Sequence, residues 1–196
     1  MTTENILDDP DLKKCVDFHG HICGGLALGY KASKAGLEWL QEKKSLDEEI
    51  VAVVENNACC ADAVQVLTGC TFGKGNFIVK DHGKIVFTFF SRKTGEGIRI
   101  AMKPRSPEQK EKQKEQMEKM RSSTITEEER ANMMENMALG VLNAPVENIF
   151  DLKPVKMPPP GKAVIEESRA CDECGEPTMI SKLEKIDGRN LCRECI

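Results

Sequence analysis

Two cysteine pairs of the form C-x-x-C, Cys171-Asp-Glu-Cys174 and Cys192-Arg-Glu-Cys195, close the chain with 17 residues between them. That spacing lets four thiolates reach one tetrahedral centre, each turn aiming two sulfurs at a metal about 2.3 Å away. Gly175 follows the first pair, as tight knuckle turns often require, and Lys185-Ile-Asp-Gly-Arg189 reads as a hairpin tip. So short a segment has almost no core, with Ile180, Leu183, Ile186 and Leu191 as its main apolar residues. Metal must then supply much of its folding free energy, of order 10–16 kcal/mol in comparable peptides. The reading is a structural zinc site in a ribbon or treble clef over 169–196, because four thiolates leave no open position for substrate. A redox dithiol and an iron–sulfur or rubredoxin-like iron centre can use the same residues, and metal analysis separates them.

The rest of the 196-residue chain is long enough for one domain with a real core. Pro158-Pro159-Pro160-Gly161 is the natural break before the tail. The organisation expected is a domain over 1–157, a linker over 158–168 and the tail. A net charge of −4 argues against a global nucleic-acid footprint. Residues 1–5 show no basic or apolar leader pattern, and no apolar run approaches the roughly 20 residues of a membrane helix. The expectation is a cytoplasmic protein, and nine cysteines in a reducing compartment point to metal or thiol chemistry rather than to disulfides.

Asp9-Pro10 reads as the start of a first helix, running to about Phe18. Leu26, Tyr30, Leu37 and Leu40 mark a longer second helix to about Glu42, and Ile50 to Glu55 reads as a buried strand. Ala58 to Leu67 is helical, and Thr68 to Asn76 holds too many glycines for anything but a loop. Phe77–Lys80, Lys84–Phe90 and Gly97–Met102 suggest an antiparallel meander. A charged helical extension over about 104–143 follows, solvated in its first half; in its second, after a capping box at Thr126–Glu129, Met134, Met137, Ala138 and Val141 form an apolar stripe. The fold class expected is α+β, helices packed on a mixed, largely antiparallel sheet.

His19-Gly-His21-Ile-Cys23 places two of the three histidines and a thiol within five residues, bounded by glycines that free the chain to turn all three onto one centre. Cys23 and Cys60 each precede or begin a helix, whose dipole favours thiolate. One of the adjacent Cys59-Cys60 pair and Cys15 read as packing residues. Gly73-Lys74-Gly75-Asn76 resembles an anion nest in composition but lacks the spacing of a nucleotide P-loop, and its plainer reading is a glycine turn.

Phe18-His19-Gly-His21-Ile-Cys23-Gly-Gly25, Cys60-Ala-Asp62-Ala-Val-Gln65 and Thr68-Gly-Cys70-Thr-Phe-Gly73-Lys74-Gly75-Asn76 resemble the FmdE family, named after the FmdE component of formylmethanofuran dehydrogenase. The resemblance covers about residues 9–155, and the tail looks like the zinc extension some members carry. Gly24 departs from the family, which usually has proline there, without removing a ligand. The resemblance implies a commonly dimeric α+β domain whose metal site draws on His21, Cys23 and Cys60, with His19 and Cys70 as further ligands or supporting groups. Asp62 and Gln65 would orient a ligand or substrate. The second metal is expected to be zinc or another divalent transition ion, with Cys23, Cys60 and Asp62 as catalytic candidates. The function implied is a metalloprotein of one-carbon or anaerobic redox metabolism, a metal-dependent enzyme or part of an oxidoreductase. The alternatives are an accessory or metal-handling protein docked on a larger oxidoreductase complex, and a regulator using the ribbon for recognition.

Overall fold

The computed structural model describes residues 6–196, so the reading of residues 1–5 falls outside it. The chain divides into two compact units, Met1–Lys162 and Ala163–Ile196. Among the described residues no helix is long and apolar enough to cross a membrane.

In the first unit a 3-10 turn (Ile6–Asp8) leads into α1 (Pro10–His19), which begins where Asp9 accepts hydrogen bonds from the backbone N–H groups of Asp11 and Leu12. It ends at Gly20, whose φ of 92° only glycine adopts without strain. α2 (Gly24–Leu40) ends before Gln41, which lies in the left-handed region, two residues short of the expected end at about Glu42. Then come β1 (Ile50–Val54), α3 (Cys60–Thr68), β2 (Phe77–Val79), β3 (Val86–Ser91) and β4 (Gly97–Met102). α4 (Pro107–Arg121), α5 (Glu127–Asn143), the short α6 (Val146–Ile149) and β5 (Phe150–Val155) complete the unit.

The sheet order is β2-β1-β3-β4-β5, with β1 and β2 parallel and the other pairs antiparallel. This is the mixed sheet expected, but the expected meander is only half present: β3 and β4 pair, whereas β2 and β3 lie on opposite sides of β1. The reason lies in β1, whose five residues are all buried and which therefore takes an inner position rather than an edge. β5 went unread because its residues beyond Phe150 are mostly exposed and include Pro154, tolerable only on an edge strand.

Alternation along β1 sends Ile50, Ala52 and Val54 to the face that carries Phe87, Phe89, Ile98, Ile100 and Phe150 under α2 and α3, and Val51 and Val53 to the other face with Phe90. α2 packs against α3, α5 and the sheet. A Cβ on Gly36 would stand 2.3 Å from the Phe89 ring, and one on Gly29 would stand 2.2 Å from the carbonyl oxygen and 2.7 Å from the Cα of Cys60. α5 packs on α2 through Ala138, Leu142, Met134 and Val141, largely the stripe read from sequence. Lys31 of α2 donates to the carbonyls of Leu142 and Ala144, closing the end of α5. α4 buries no residue, as its charged composition requires.

Gly29→Ala is expected to destabilise the first unit by about 1–3 kcal/mol, since the obstacle is backbone and no side chain can move aside. Urea unfolding of the variant against the parent chain measures it.

Candidate metal centres

His19 is the last residue of α1, Gly20 turns the chain, and Cys23 is the N-cap of α2, its sulfur accepting the Leu26 N–H at 3.4 Å. Two helix ends therefore fix the first and last members of the His-x-His-x-Cys motif. The rings of His19 and His21 lie 4.5 Å apart, and one donor atom from each of His19, His21 and Cys23 falls within 4.8 Å of the others. His19 Nε2 and Cys23 Sγ are 4.0 Å apart. A tetrahedral ion would need its N and S donors about 3.3–3.8 Å apart, so a small closure suffices. Cys23 is buried and His21 exposed, giving the cluster a closed floor and an open rim.

Asp62 on α3 completes the support. Its Oδ2 lies 2.7 Å from His19 Nδ1, which leaves Nε2 directed at the cluster. A carboxylate behind a ligand imidazole fixes its orientation and raises its basicity. Gln65, one turn further along α3, accepts the Phe72 N–H and so holds the glycine loop rather than facing the ligands.

Cys60 is not brought to this cluster. It is buried in the sheet-facing core, its thiol donates to Asn56 Oδ1 at 3.0 Å, and burial pushes it up to about 12. Cys59, rather than Cys60, lies beside Gly25 near the Cys23 sulfur, outside the three-residue donor group. Helical periodicity explains the difference: Cys60, Val64 and Leu67 form the buried stripe of α3, while Cys59, Asp62 and Gln65 follow one another at i, i+3 on another face. That stripe was legible in the sequence. Cys70 and Cys15 are also away from the cluster, each buried and pushed up to about 11 by that burial. The Cys70 thiol donates to the Ile50 carbonyl. In the glycine loop the N–H groups of Thr71, Phe72, Lys74 and Gly75 donate to Asn76, Gln65, Thr71 and Phe72, so these four do not form a vacant anion nest.

The second unit carries two small hairpins, β6 (Ser168–Ala170) with β7 (Pro177–Met179) and β8 (Glu184–Ile186) with β9 (Arg189–Leu191). Asp187 and Gly188 both have positive φ, the signature of a two-residue hairpin turn at the tip read from sequence. The knuckles are tied together by Asp172, whose N–H donates to the Asn190 carbonyl and whose carboxylate accepts the Asn190 N–H at 2.7 Å. Cys171, Cys174, Cys192 and Cys195 present sulfurs within 4.8 Å of one another, with Cys174–Cys192 at 3.9 Å and Cys192–Cys195 at 3.5 Å. Sulfurs bound to zinc at about 2.3 Å would sit about 3.8 Å apart, whereas a disulfide needs about 2.05 Å, so the set fits a metal. Backbone N–H groups of Cys174, Cys192 and Glu173 hold the Cys171 thiol down at about 6, already favouring thiolate. Apart from Cys171, Leu191 is the buried apolar residue of this unit.

A family profile described as FmdE, molybdenum formylmethanofuran dehydrogenase operon, matches residues 18–151. The chain belongs to the FmdE family. The tail beyond that FmdE region matches the prokaryotic dksA/traR C4-type zinc finger over residues 165–195, which together with the four-sulfur geometry supports a structural zinc. A probable S-adenosyl-L-methionine-binding protein of Archaeoglobus fulgidus is 33% identical over 195 residues, 94% of this chain and 52% of that protein. The chain thus spans about half the length of that curated relative. The crystal structure of a tungsten formylmethanofuran dehydrogenase FmdE-like protein from Syntrophus aciditrophicus superposes with a TM-score of 0.65 at 25% identity, covering 100% of this chain and 96% of the other.

Cys174→Ser is expected to lose the tail's zinc and unfold Ala163–Ile196 while leaving the first unit folded. Amide NMR dispersion, read alongside zinc content, checks it; a tail that keeps both would contradict a structural role for the metal.

Proposed function

We propose that this FmdE-family chain is a metalloprotein with two metals of different purpose, a structural zinc in the tail and a second transition ion held by His19, His21 and Cys23. The observation carrying the reading is the His19–Asp62 contact of 2.7 Å, which aims Nε2 of His19 toward Cys23. Two imidazoles and a thiolate suit zinc and related borderline ions. Three protein donors leave a coordination position free for a small ligand, in contrast to the four-sulfur tail.

When bound, such an ion supplies Lewis acidity or activates water. The chain's own residues supply the setting. The Leu26 N–H supports negative charge on the Cys23 sulfur, Asp62 holds the His19 ring, and His21 stands on the solvent side where a ligand would arrive. Asp62 acts through His19, so the role assigned to it is positioning.

Metal content per chain, on protein purified without added metal, tests this. The full chain is expected to hold about two equivalents, a chain ending at Lys162 about one, and that shorter chain with Cys23→Ala none. A shorter chain that binds no metal would return the motif to thiol chemistry or packing.

Asp62→Asn is expected to weaken metal binding in the first unit by about 10–100-fold without changing its fold. Competition with a chromophoric chelator reads the affinity, and circular dichroism checks the fold.

A further inference from the structure

Both helices that meet at the cluster carry a cysteine at the N-cap: Cys23 before α2 and Cys59 before α3. A Cβ on Gly25 would stand 3.1 Å from Cys59 Cβ, 3.7 Å from Cys59 Sγ and 3.9 Å from Cys23 Sγ. The missing side chain is what leaves room for the two sulfurs beside one another. Both sulfurs therefore lie within 4 Å of one point at the start of α2. Neither is in a disulfide in this structure. Cys23 is 9% exposed and Cys59 more open, so a small reagent meets Cys59 first. Cys60, next in sequence, has its thiol committed to Asn56 on the core side of α3.

We infer that Cys23 and Cys59 are a redox dithiol that closes reversibly into an intrachain disulfide and thereby withdraws Cys23 from the donor set. The oxidant is a small-molecule disulfide, RSSR. The Cys59 thiolate attacks one sulfur of RSSR, breaking its S–S bond and releasing one thiolate that is protonated to RSH. The Cys23 thiolate then attacks the Cys59 sulfur of the mixed disulfide and displaces the second RSH. Two protein thiols have lost two electrons and two protons, and RSSR has gained both. The consequence for metal rests on the proposed metal site, whereas the disulfide does not, because it needs only the two sulfurs.

The test uses the full chain, reduced and zinc-loaded, then exposed anaerobically to oxidised glutathione and digested without reductant for peptide mapping by mass spectrometry. The expected result is a Cys23–Cys59 cross-linked peptide that dithiothreitol returns to free thiols, that is absent in Cys59→Ser and that persists in Cys60→Ala. Differential alkylation of Cys23 before and after oxidation gives a second reading independent of how well the variants fold. Zinc released in step with the cross-link, about one equivalent with the tail still loaded, would support both the dithiol and the metal site. A cross-link with no zinc released would support the dithiol and count against the metal site. Free Cys23 and Cys59 at glutathione ratios that leave the tail's zinc in place would overturn the proposal.

Discussion

A methyl group at Gly29 would fall within 2.2 Å of a backbone oxygen of α3, so α2 and α3 approach main chain to main chain. Gly36, two turns along, lets the same helix settle on the Phe89 ring of β3. With these two contacts α2 is fixed both to its neighbouring helix and to the sheet. The rest follows from that anchoring: α5 lies along α2, held at its end by Lys31, and α3 leads from the inner strand β1 to the loop before β2. Packing at this distance leaves little freedom to slide, because displacement brings hard atoms into overlap.

The site inherits its precision from those helices. The three cluster residues are close in sequence, yet a short glycine-bounded stretch would not by itself hold them. The left-handed Gly20 stops α1 at His19, and the Cys23 sulfur caps α2, so the stretch is clamped at both ends. α3 then contributes a carboxylate to His19, and its N-cap Cys59 places a second sulfur near Cys23. A carboxylate–imidazole hydrogen bond of this kind matters here for direction more than for stability, since Asp62 is partly exposed and solvent weakens its attraction.

The two units follow opposite strategies. The first buries aliphatic and aromatic side chains on both faces of a five-stranded sheet and needs no metal to specify its fold. The second buries almost nothing apolar, and its two hairpins are brought together by four sulfurs and the Asp172–Asn190 bonds. Metal in the tail is a fold determinant; metal in the first unit, as proposed, is an addition to a scaffold already formed.

Whatever local chemistry can encode was readable along the chain. Paired C-x-x-C turns at the right separation define a four-sulfur site whatever surrounds them, and the His-x-His-x-Cys stretch is a candidate ligand set that its spacing alone announces. The helix starts at Asp9 and Thr126, the breaking glycines and the α5 stripe are likewise local rules of hydrogen bonding and periodicity. That β1 separates β2 from β3, and that exposed β5 joins the sheet, emerges only on folding, because strand pairing is a non-local choice settled by burial on both faces. Folding also selects which of two adjacent cysteines faces the site. A helix turns 100° per residue, so Cys59 and Cys60 look to different neighbours; the core claimed the one that continues the apolar stripe and left the other beside Cys23.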